Sequence, residues 1–211
     1  MSEQTDNSAA SGDLRNVVET IHELPLQYEK KITFHINDKD FDIVARNLII
    51  TLLAFVAPTE PQVVDSMLHI WYSAMITEAQ LDLIRLYLRP LIDHVVTRIA
   101  TKCDDAILGK TWSFAAGSCR AELTKVQWNL LLSFLDVPSG LSTEKAQEIR
   151  RAITMSPERT DHLHRHLSAQ KPVHRVCLQR FRHDGILLPF GHSRQPFVVP
   201  NPYALYSCPA M

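Results

Sequence analysis

A polar pair, Asn37 and Asp38, follows a short segment in which the apolar residues Ile32, Phe34 and Ile36 alternate with other residues. This alternation is typical of a strand with one buried face. In nucleotide-binding α/β sheets, a carboxylate at the end of such a strand accepts hydrogen bonds from ribose hydroxyls. One interpretation of Asp38 is therefore a ligand-binding corner. The other interpretation is that the polar pair caps the helix that follows.

Three more residues would lie at the same corner, because they stand at the start of the first predicted helix. Ligands of open α/β sheets bind beyond the carboxyl ends of the strands, and the N–H groups at a helix N-terminus attract anionic groups. The predicted cofactor site comprises Gly12, Asp13, Arg15, Asn37 and Asp38. An alternative needs no ligand: Asp13 caps its own helix, and Arg15 or Arg46 pairs with Asp38.

A histidine-rich stretch could support metal binding. It contains His162, His164 and His166, of which only the first and last would share a helix face, at the i,i+4 spacing of metal sites. A closed zinc site needs two more ligands, and Cys177 and His183 could be recruited only by chance proximity in the tertiary fold. We therefore expect a solvated polar segment and no metal site. Because no serine–histidine–aspartate or cysteine–histidine set is recognisable by spacing, no catalytic residue is predicted.

Length and composition are those of an ordinary globular domain. The chain has 211 residues, 45% of them hydrophobic, and a net charge of −1. This balance creates no basic field for nucleic acid or an anionic membrane, and no apolar run approaches the roughly 20 residues of a bilayer span. The polar N-terminus does not resemble a signal peptide. We expect a cytoplasmic protein with a protein partner and without a nucleic-acid or membrane partner.

The cysteines are scattered without CxxC spacing, which argues against a zinc knuckle or a disulfide framework. We expect mostly reduced thiols. The four residues are Cys103, Cys119, Cys177 and Cys208.

Apolar periodicity predicts the elements that position these residues. A helical pattern begins near Val17 and ends before Pro25. After the strand, a second helix carries one apolar stripe and ends before Pro58. That stripe comprises Ile43, Val44, Leu48, Leu52 and Phe55. Helical spacing then continues from Glu60 to Ile99, with a kink or break expected at Pro90.

In the second half of the chain, the spacing of the apolar residues changes from a helical period to an alternating one. A weak alternation between Trp112 and Leu123 indicates a hairpin. Thr124 then caps a helix that carries Trp128, and another helix follows Ser142. A short helix is expected around Val173–Phe181, within a segment that is locally basic.

The C-terminal tail keeps large apolar side chains between prolines. The apolar residues are Ile186, Leu187, Leu188, Phe190, Phe197, Val198 and Val199. Prolines exclude the interior of a helix or sheet, and this much apolar surface left in water would promote aggregation. The tail is therefore either an extended strap over the domain or a docking strand for a partner. We expect the strap, with residues 1–10 disordered, a single domain at 11–184 and the packed tail at 185–211.

Several motifs together resemble a known domain type. They are Gly12 to Val17, Ile36-Asn37-Asp38, Val44 to Leu48, Leu188 to Gly191, and Pro200-Asn201-Pro202. In this order they resemble an uncharacterised domain of fungal proteins, often found beside a MYND-type zinc finger. The same domain type is similar to the N-terminal part of dynein axonemal assembly factor 3, which acts in the cytoplasmic preassembly of dynein arms. The resemblance covers roughly residues 11 to 203.

The resemblance implies a helix-rich α/β fold on a Rossmann-like, methyltransferase-like scaffold with no established activity. This chain departs from it by lacking paired cysteines for a MYND finger and, on its sequence pattern, the first strand with its glycine-rich turn. We therefore expect a degenerate scaffold without a cofactor, acting as a non-enzymatic intracellular interaction or assembly module. The alternatives are an S-adenosylmethionine-dependent methyltransferase, or a remnant that binds this cofactor, and a metal-binding module that uses the histidine-rich segment.

Overall fold

The computed structural model describes residues 4–9, 14–58, 60–154 and 167–205. The strands are β1 (Gln4–Ala9), β2 (Ile32–Asn37), β3 (Met75–Ile76), β4 (Ile107–Phe114), β5 (Gly117–Thr124) and β6 (Val199–Pro200). The helices used below are α1 (Arg15–Glu23), α2 (Phe41–Val56), α3 (Pro61–Tyr72), α4 (Glu78–Ile99), α5 (Lys125–Ser133), α6 (Thr143–Thr154), α7 (Pro172–Asp184) and α8 (Pro202–Leu205).

Helix α2 is the centre of the hydrophobic core. It is buried over most of its circumference rather than along the single predicted stripe, because α3, α4, α8 and β5 all pack against it. Its buried residues are Ala45, Asn47, Leu48, Ile49, Ile50, Leu52 and Leu53. Burial on most sides is typical of a helix at the centre of a core.

The segment predicted as one helical run from Glu60 to Ile99 is two helices. Between α3 and α4, residues 75 and 76 form β3, which pairs with β6. The second helix restarts at a capping box, in which Thr77 Oγ1 accepts the Gln80 N–H at 3.1 Å and Gln80 Oε1 accepts the Thr77 N–H at 3.0 Å. Helix α4 then continues through Pro90, so the chain does not break at that residue.

The hairpin predicted from the weak alternation is confirmed. Strands β4 and β5 pair antiparallel from Ile107–Thr124 to Phe114–Gly117. Thr124 caps α5 by accepting the Gln127 N–H at 3.2 Å. The predicted helices after Ser142 and around Val173 are also present, as α6 and α7.

The predicted absence of a strand before the first helix is wrong. Residues Gln4–Ala9 form β1, which pairs in parallel with β2 from Gln4–Ile32 to Ala9–Asn37. This strand occupies part of residues 1–10, which we expected to be disordered. Its sequence, QTDNSA, is polar and carries no apolar alternation, so a periodicity argument cannot detect it. The pairing rests on backbone hydrogen bonds, which any of these residues can make.

The helix-rich α/β class is confirmed, but a Rossmann-like scaffold is not. Within the described residues the strands form separate two-stranded sheets, one parallel (β1–β2) and two antiparallel (β3–β6 and β4–β5). A doubly wound fold needs one larger parallel sheet with helices on both faces. The core here is instead a helical layer around α2, covered on one side by the β4–β5 hairpin.

The C-terminal segment 185–205, here called the strap, packs against the domain. Ile186 lies in a small apolar cluster with Met75 and Ala146. Strand β6 adds to β3, and Tyr203 is buried with its ring 6.4 Å from that of Phe134. Residues of the strap thus contribute to both apolar clusters.

Candidate functional site

The parallel pairing of β1 and β2 places the carboxyl ends of both strands at one edge, here called the ligand edge. Asn37 is the last residue of β2 and lies opposite Ala9, the last residue of β1, so both strands end at the same edge. Helix α1 begins at Arg15, shortly after β1 ends. Gly12 and Asp13, the other two predicted residues of this edge, lie outside the described residues.

Asp38 has a local structural role at this edge. Its Oδ1 accepts the N–H of Asp40 at 3.1 Å, and Asp40 is the N-cap of α2. This is the geometry of an aspartate that shapes the turn before a helix. The side chain is partly exposed, whereas Asn37 and Arg15 are exposed. The N-cap of α2 is Asp40 and has no side-chain cap hydrogen bond, so Asp38 shapes the turn before the helix and does not cap it. The ligand interpretation of Asp38 stays a prediction.

A second polar constellation lies on α3 and was not recognised from the sequence. Asp65, His69 and Ser73 follow one another at intervals of four residues, which aligns them along one helix face. His69 Nδ1 lies 2.8 Å from Ser73 Oγ, and His69 Nε2 lies 3.7 Å from Asp65 Oδ1. The sequence signal that could have identified this constellation is the i,i+4 spacing of Asp65 and His69 within a predicted helix.

These residue types match a serine hydrolase triad, but their burial excludes nucleophilic attack in this conformation. Ser73 is 0% exposed and His69 is 2% exposed. Ser73 Oγ also accepts the N–H of Leu187 in the strap at 3.0 Å. Ser73 Oγ and His69 Nδ1 therefore share one hydrogen bond, whose direction is set by the imidazole tautomer. The arrangement joins the strap to α3.

Asn201 completes this junction. Its Nδ2 lies within hydrogen-bonding distance of three carbonyl oxygens at the end of α3, those of His69 (3.2 Å), Ile70 (3.1 Å) and Ser73 (2.6 Å). Its Oδ1 accepts the Tyr203 N–H at 3.1 Å. The last carbonyls of a helix have no partner within the helix, so a buried side-chain donor from the strap satisfies them. We call His69, Ser73, Leu187 and Asn201 the clasp.

The clasp predicts a dependence of stability on pH. Burial lowers the pKa of His69 below its usual value of 6.5, and the nearby Asp65 carboxylate opposes this effect only in part. Because the unfolded chain then binds a proton more readily than the folded chain, the contribution of His69 to stability is present above the unfolded pKa. It is lost as the pH falls through the lowered folded pKa.

We therefore expect the stability advantage of the wild type over His69→Gln to shrink as the pH falls from about 7 to about 5. Urea denaturation of both proteins across this pH range measures the difference between their free energies of unfolding. Because both proteins contain the other histidines, the effects of those histidines cancel in this difference. An advantage that stays constant, or grows on acidification, would show that His69 is not held as the neutral imidazole.

Helix α3 also presents an apolar surface to solvent. Val64, Leu68 and Tyr72, spaced four residues apart, are 58%, 43% and 39% exposed, and we call these three residues the α3 face. The opposite side of the helix is fixed in the core by buried residues, among them Val63 and Ile70. The α3 face is therefore a contiguous row of large apolar side chains on a rigid support.

Helix α1 exposes apolar side chains in a different setting. Val18 and Ile21 are both 53% exposed, and no side chain of α1 is buried. This helix therefore lacks the buried anchor that fixes α3.

Metal-binding clusters and membrane-spanning helices are absent from the described part of the chain. In this part of the chain no group of three or more histidine, cysteine or acidic residues is placed to hold a metal, and His162, His164 and His166 lie outside it. No described helix is long and apolar enough to cross a membrane.

Cys103, Cys119 and Cys177 are free thiols. Burial raises the pKa of Cys119 to about 11, so this thiol is a poor nucleophile near neutral pH.

Part of the chain is similar to a known protein family. Residues 8–76 match the family model described as a domain of unknown function, DUF4470. The matched segment runs from the end of β1 to β3 and includes the predicted ligand edge and the α3 face. No curated protein and no solved structure matches the chain. The match provides no link to dynein assembly factors or to MYND fingers.

Proposed function

We propose that this chain is a non-enzymatic, intracellular protein-interaction module that binds an amphipathic helix of a partner on the α3 face. The observation that carries the proposal is the exposed row Val64, Leu68 and Tyr72. An amphipathic helix that lies against such a row buries its own apolar stripe. An assembly role of the kind known for the dynein axonemal assembly factor that the motifs resemble belongs to the same proposal.

The rigidity of α3 favours this helix over α1 as the docking site. A preorganised surface loses less conformational freedom on binding than a surface that must first be ordered. Tyr72 also stacks on Trp71, with ring centroids 5.1 Å apart and an interplanar angle of 10°. Aromatic side chains of this type contribute disproportionately to binding energy in protein interfaces.

Charge beside the α3 face indicates the chemistry of the partner. The Asp65 side chain is 66% exposed, and Glu60 and Glu78 at the neighbouring helix starts are also exposed. A partner helix with lysine or arginine beside its apolar stripe would complement these carboxylates. We therefore propose a basic amphipathic helix as the partner.

Titration with a synthetic helix tests this proposal. The probe is a leucine–lysine peptide of about 14 residues, roughly four turns, with leucines at i, i+3, i+4 and i+7. We expect saturable binding to the wild type and at least tenfold weaker binding to Leu68→Lys, because a lost buried leucine contact costs about 1.5–3 kcal/mol and tenfold corresponds to about 1.4 kcal/mol.

The matched control is Leu26→Lys, which changes a fully exposed leucine outside α3. This variant is expected to bind the peptide like the wild type. Absence of saturable binding, or equal weakening in the two variants, would contradict the proposal.

A second candidate function, binding of a nucleoside cofactor such as S-adenosylmethionine, is favoured by one observation. The parallel strand β1 precedes α1, and the carboxyl ends of β1 and β2 lie at one edge, which is the arrangement at the ligand site of cofactor-binding α/β folds. The absence of a larger parallel sheet among the described strands speaks against it.

Calorimetric titration separates the two candidates. For an interaction module we expect no saturable heat with S-adenosylmethionine or its demethylated product at high micromolar concentration. Saturable binding that is lost in Asp38→Ala would instead support the cofactor site.

A further inference from the structure

An open groove of about 650 Å³ lies between the end of α7 and the strap. Helix α7 contributes Val176, Arg180 and His183, which lie on one face at i, i+4 and i+7. The strap contributes His192 and Arg194 from the other side. The groove is remote in sequence from α3 and is formed by elements outside residues 8–76.

We propose that this groove binds acidic peptide segments, at a site separate from the α3 face. The walls carry four basic side chains, those of Arg180, His183, His192 and Arg194, and one acidic side chain, that of Asp184. An arginine guanidinium binds carboxylates through two parallel hydrogen bonds, which gives such a groove both affinity and orientation for acidic residues.

The acidic residue of the groove is already neutralised within the fold. Asp184 Oδ2 accepts Arg194 Nε–H at 2.5 Å, and Asp184 Oδ1 accepts the Ile186 N–H at 3.0 Å. The Asp184 and Arg194 side chains are both mostly buried. Because the Asp184 carboxylate is bonded to Arg194 and to the Ile186 N–H, it makes no ion pair with Arg180, which lies one helical turn away on α7 and is exposed.

The end of a helix carries a partial negative charge that would repel an anion, and this charge is also compensated here. Arg150 of α6 donates from Nη1 to the carbonyl oxygen of Arg182 at 2.9 Å and from Nη2 to that of His183. Gln147 Nε2 donates to the carbonyl oxygen of Asp184 at 2.8 Å. Two side chains of α6 thus satisfy the carbonyls of the last turn of α7 and reduce the repulsion at the groove.

The composition of the walls favours a peptide over a nucleic acid. Val176, which is 41% exposed, offers an apolar contact, and Gln179 can both donate to and accept from a peptide backbone. No phenylalanine, tyrosine or tryptophan ring that could stack on a base lines the groove as described. The chain as a whole has a net charge of −1, so it lacks the extended basic field that nucleic-acid binding requires.

Fluorescence anisotropy with a labelled glutamate-rich peptide of about 10 residues, an extended length of roughly 35 Å, tests the inference. We expect saturable binding to the full chain, at least tenfold weaker binding to Arg180→Gln, and unchanged binding to Arg175→Gln. Arg175 is an exposed arginine of the same helix that does not line the groove. The α3-face variant Leu68→Lys is expected to bind the acidic peptide like the wild type.

Competition experiments decide the ligand class. A peptide site predicts that inorganic phosphate and a single-stranded oligonucleotide of equal charge compete only weakly. Equal losses in Arg180→Gln and Arg175→Gln, absence of saturable binding, or tighter binding of the oligonucleotide would each overturn the inference. Because the α3 face is tested by a basic peptide and the groove by an acidic peptide, failure of either proposal leaves the other result interpretable.

Discussion

Removal of residues 185–211 is expected to unfold the domain or abolish its soluble expression. The deletion takes away Ile186, Val199 and Tyr203, which are each at most 5% exposed, and it removes strand β6 from β3. Burial of a large apolar side chain stabilises by about 1.5–3 kcal/mol, so the loss approaches the whole stability of a typical domain, about 5–15 kcal/mol. Circular dichroism and thermal denaturation of the chain ended at Asp184 measure the effect.

A point variant tests the same contact without deleting any residue. Asn201→Asp replaces an amide donor by a carboxylate that faces three carbonyl oxygens, and we expect it to destabilise by about 3 kcal/mol or more. Asn129→Asp, at an exposed position of α5, serves as the control for the same chemical change. A chain ended at Asp184 that melts like the wild type, together with a neutral Asn201→Asp, would show that the strap is dispensable for folding and acts as a docking strand.

Replacement of Trp128 by alanine is expected to cost about 3–5 kcal/mol of unfolding free energy. The indole is 0% exposed, packs edge to face with Trp112 at a centroid distance of 6.0 Å, and donates from Nε1 to the carbonyl oxygen of Leu108 at 3.1 Å. The substitution creates a large cavity where α5 meets the β4–β5 hairpin, and it leaves the partly buried Leu108 carbonyl without this donor.

Urea denaturation quantifies this effect, and Trp128→Phe provides the comparison. Phenylalanine retains most of the apolar contact and loses the N–H donor, so its cost is expected to be smaller than that of alanine. An alanine effect below about 0.5 kcal/mol would mean that the indole does not join α5 to the hairpin.

Helices and the hairpin were predictable where periodicity and capping residues agreed. Thr124 with Gln127 began a helix as expected, and the alternation between Trp112 and Leu123 became a hairpin. The break between α3 and α4 was missed because the two residues of β3, Met75 and Ile76, are apolar and continue a helical pattern. Their strand state depends on β6, which is distant in sequence.

The candidate sites differ in how far sequence alone could define them. The ligand edge is a prediction from Asp38 and the start of α1, and the parallel register shows that β1 and β2 end together there. Its first strand was missed because polar residues can form a strand without any apolar pattern. The clasp was also missed, because the partners of His69 and Ser73 include Leu187 and Asn201, more than a hundred residues away.

Hydrogen–deuterium exchange of the full chain, with and without the leucine–lysine peptide, tests the central proposal most directly. The α3 face predicts that the peptide slows amide exchange in Pro61–Tyr72 in the wild type and in Leu26→Lys, and much less in Leu68→Lys. Protection confined to α1 or to the strap, or protection of α3 that persists unchanged in Leu68→Lys, would contradict the assignment of α3 as the docking site.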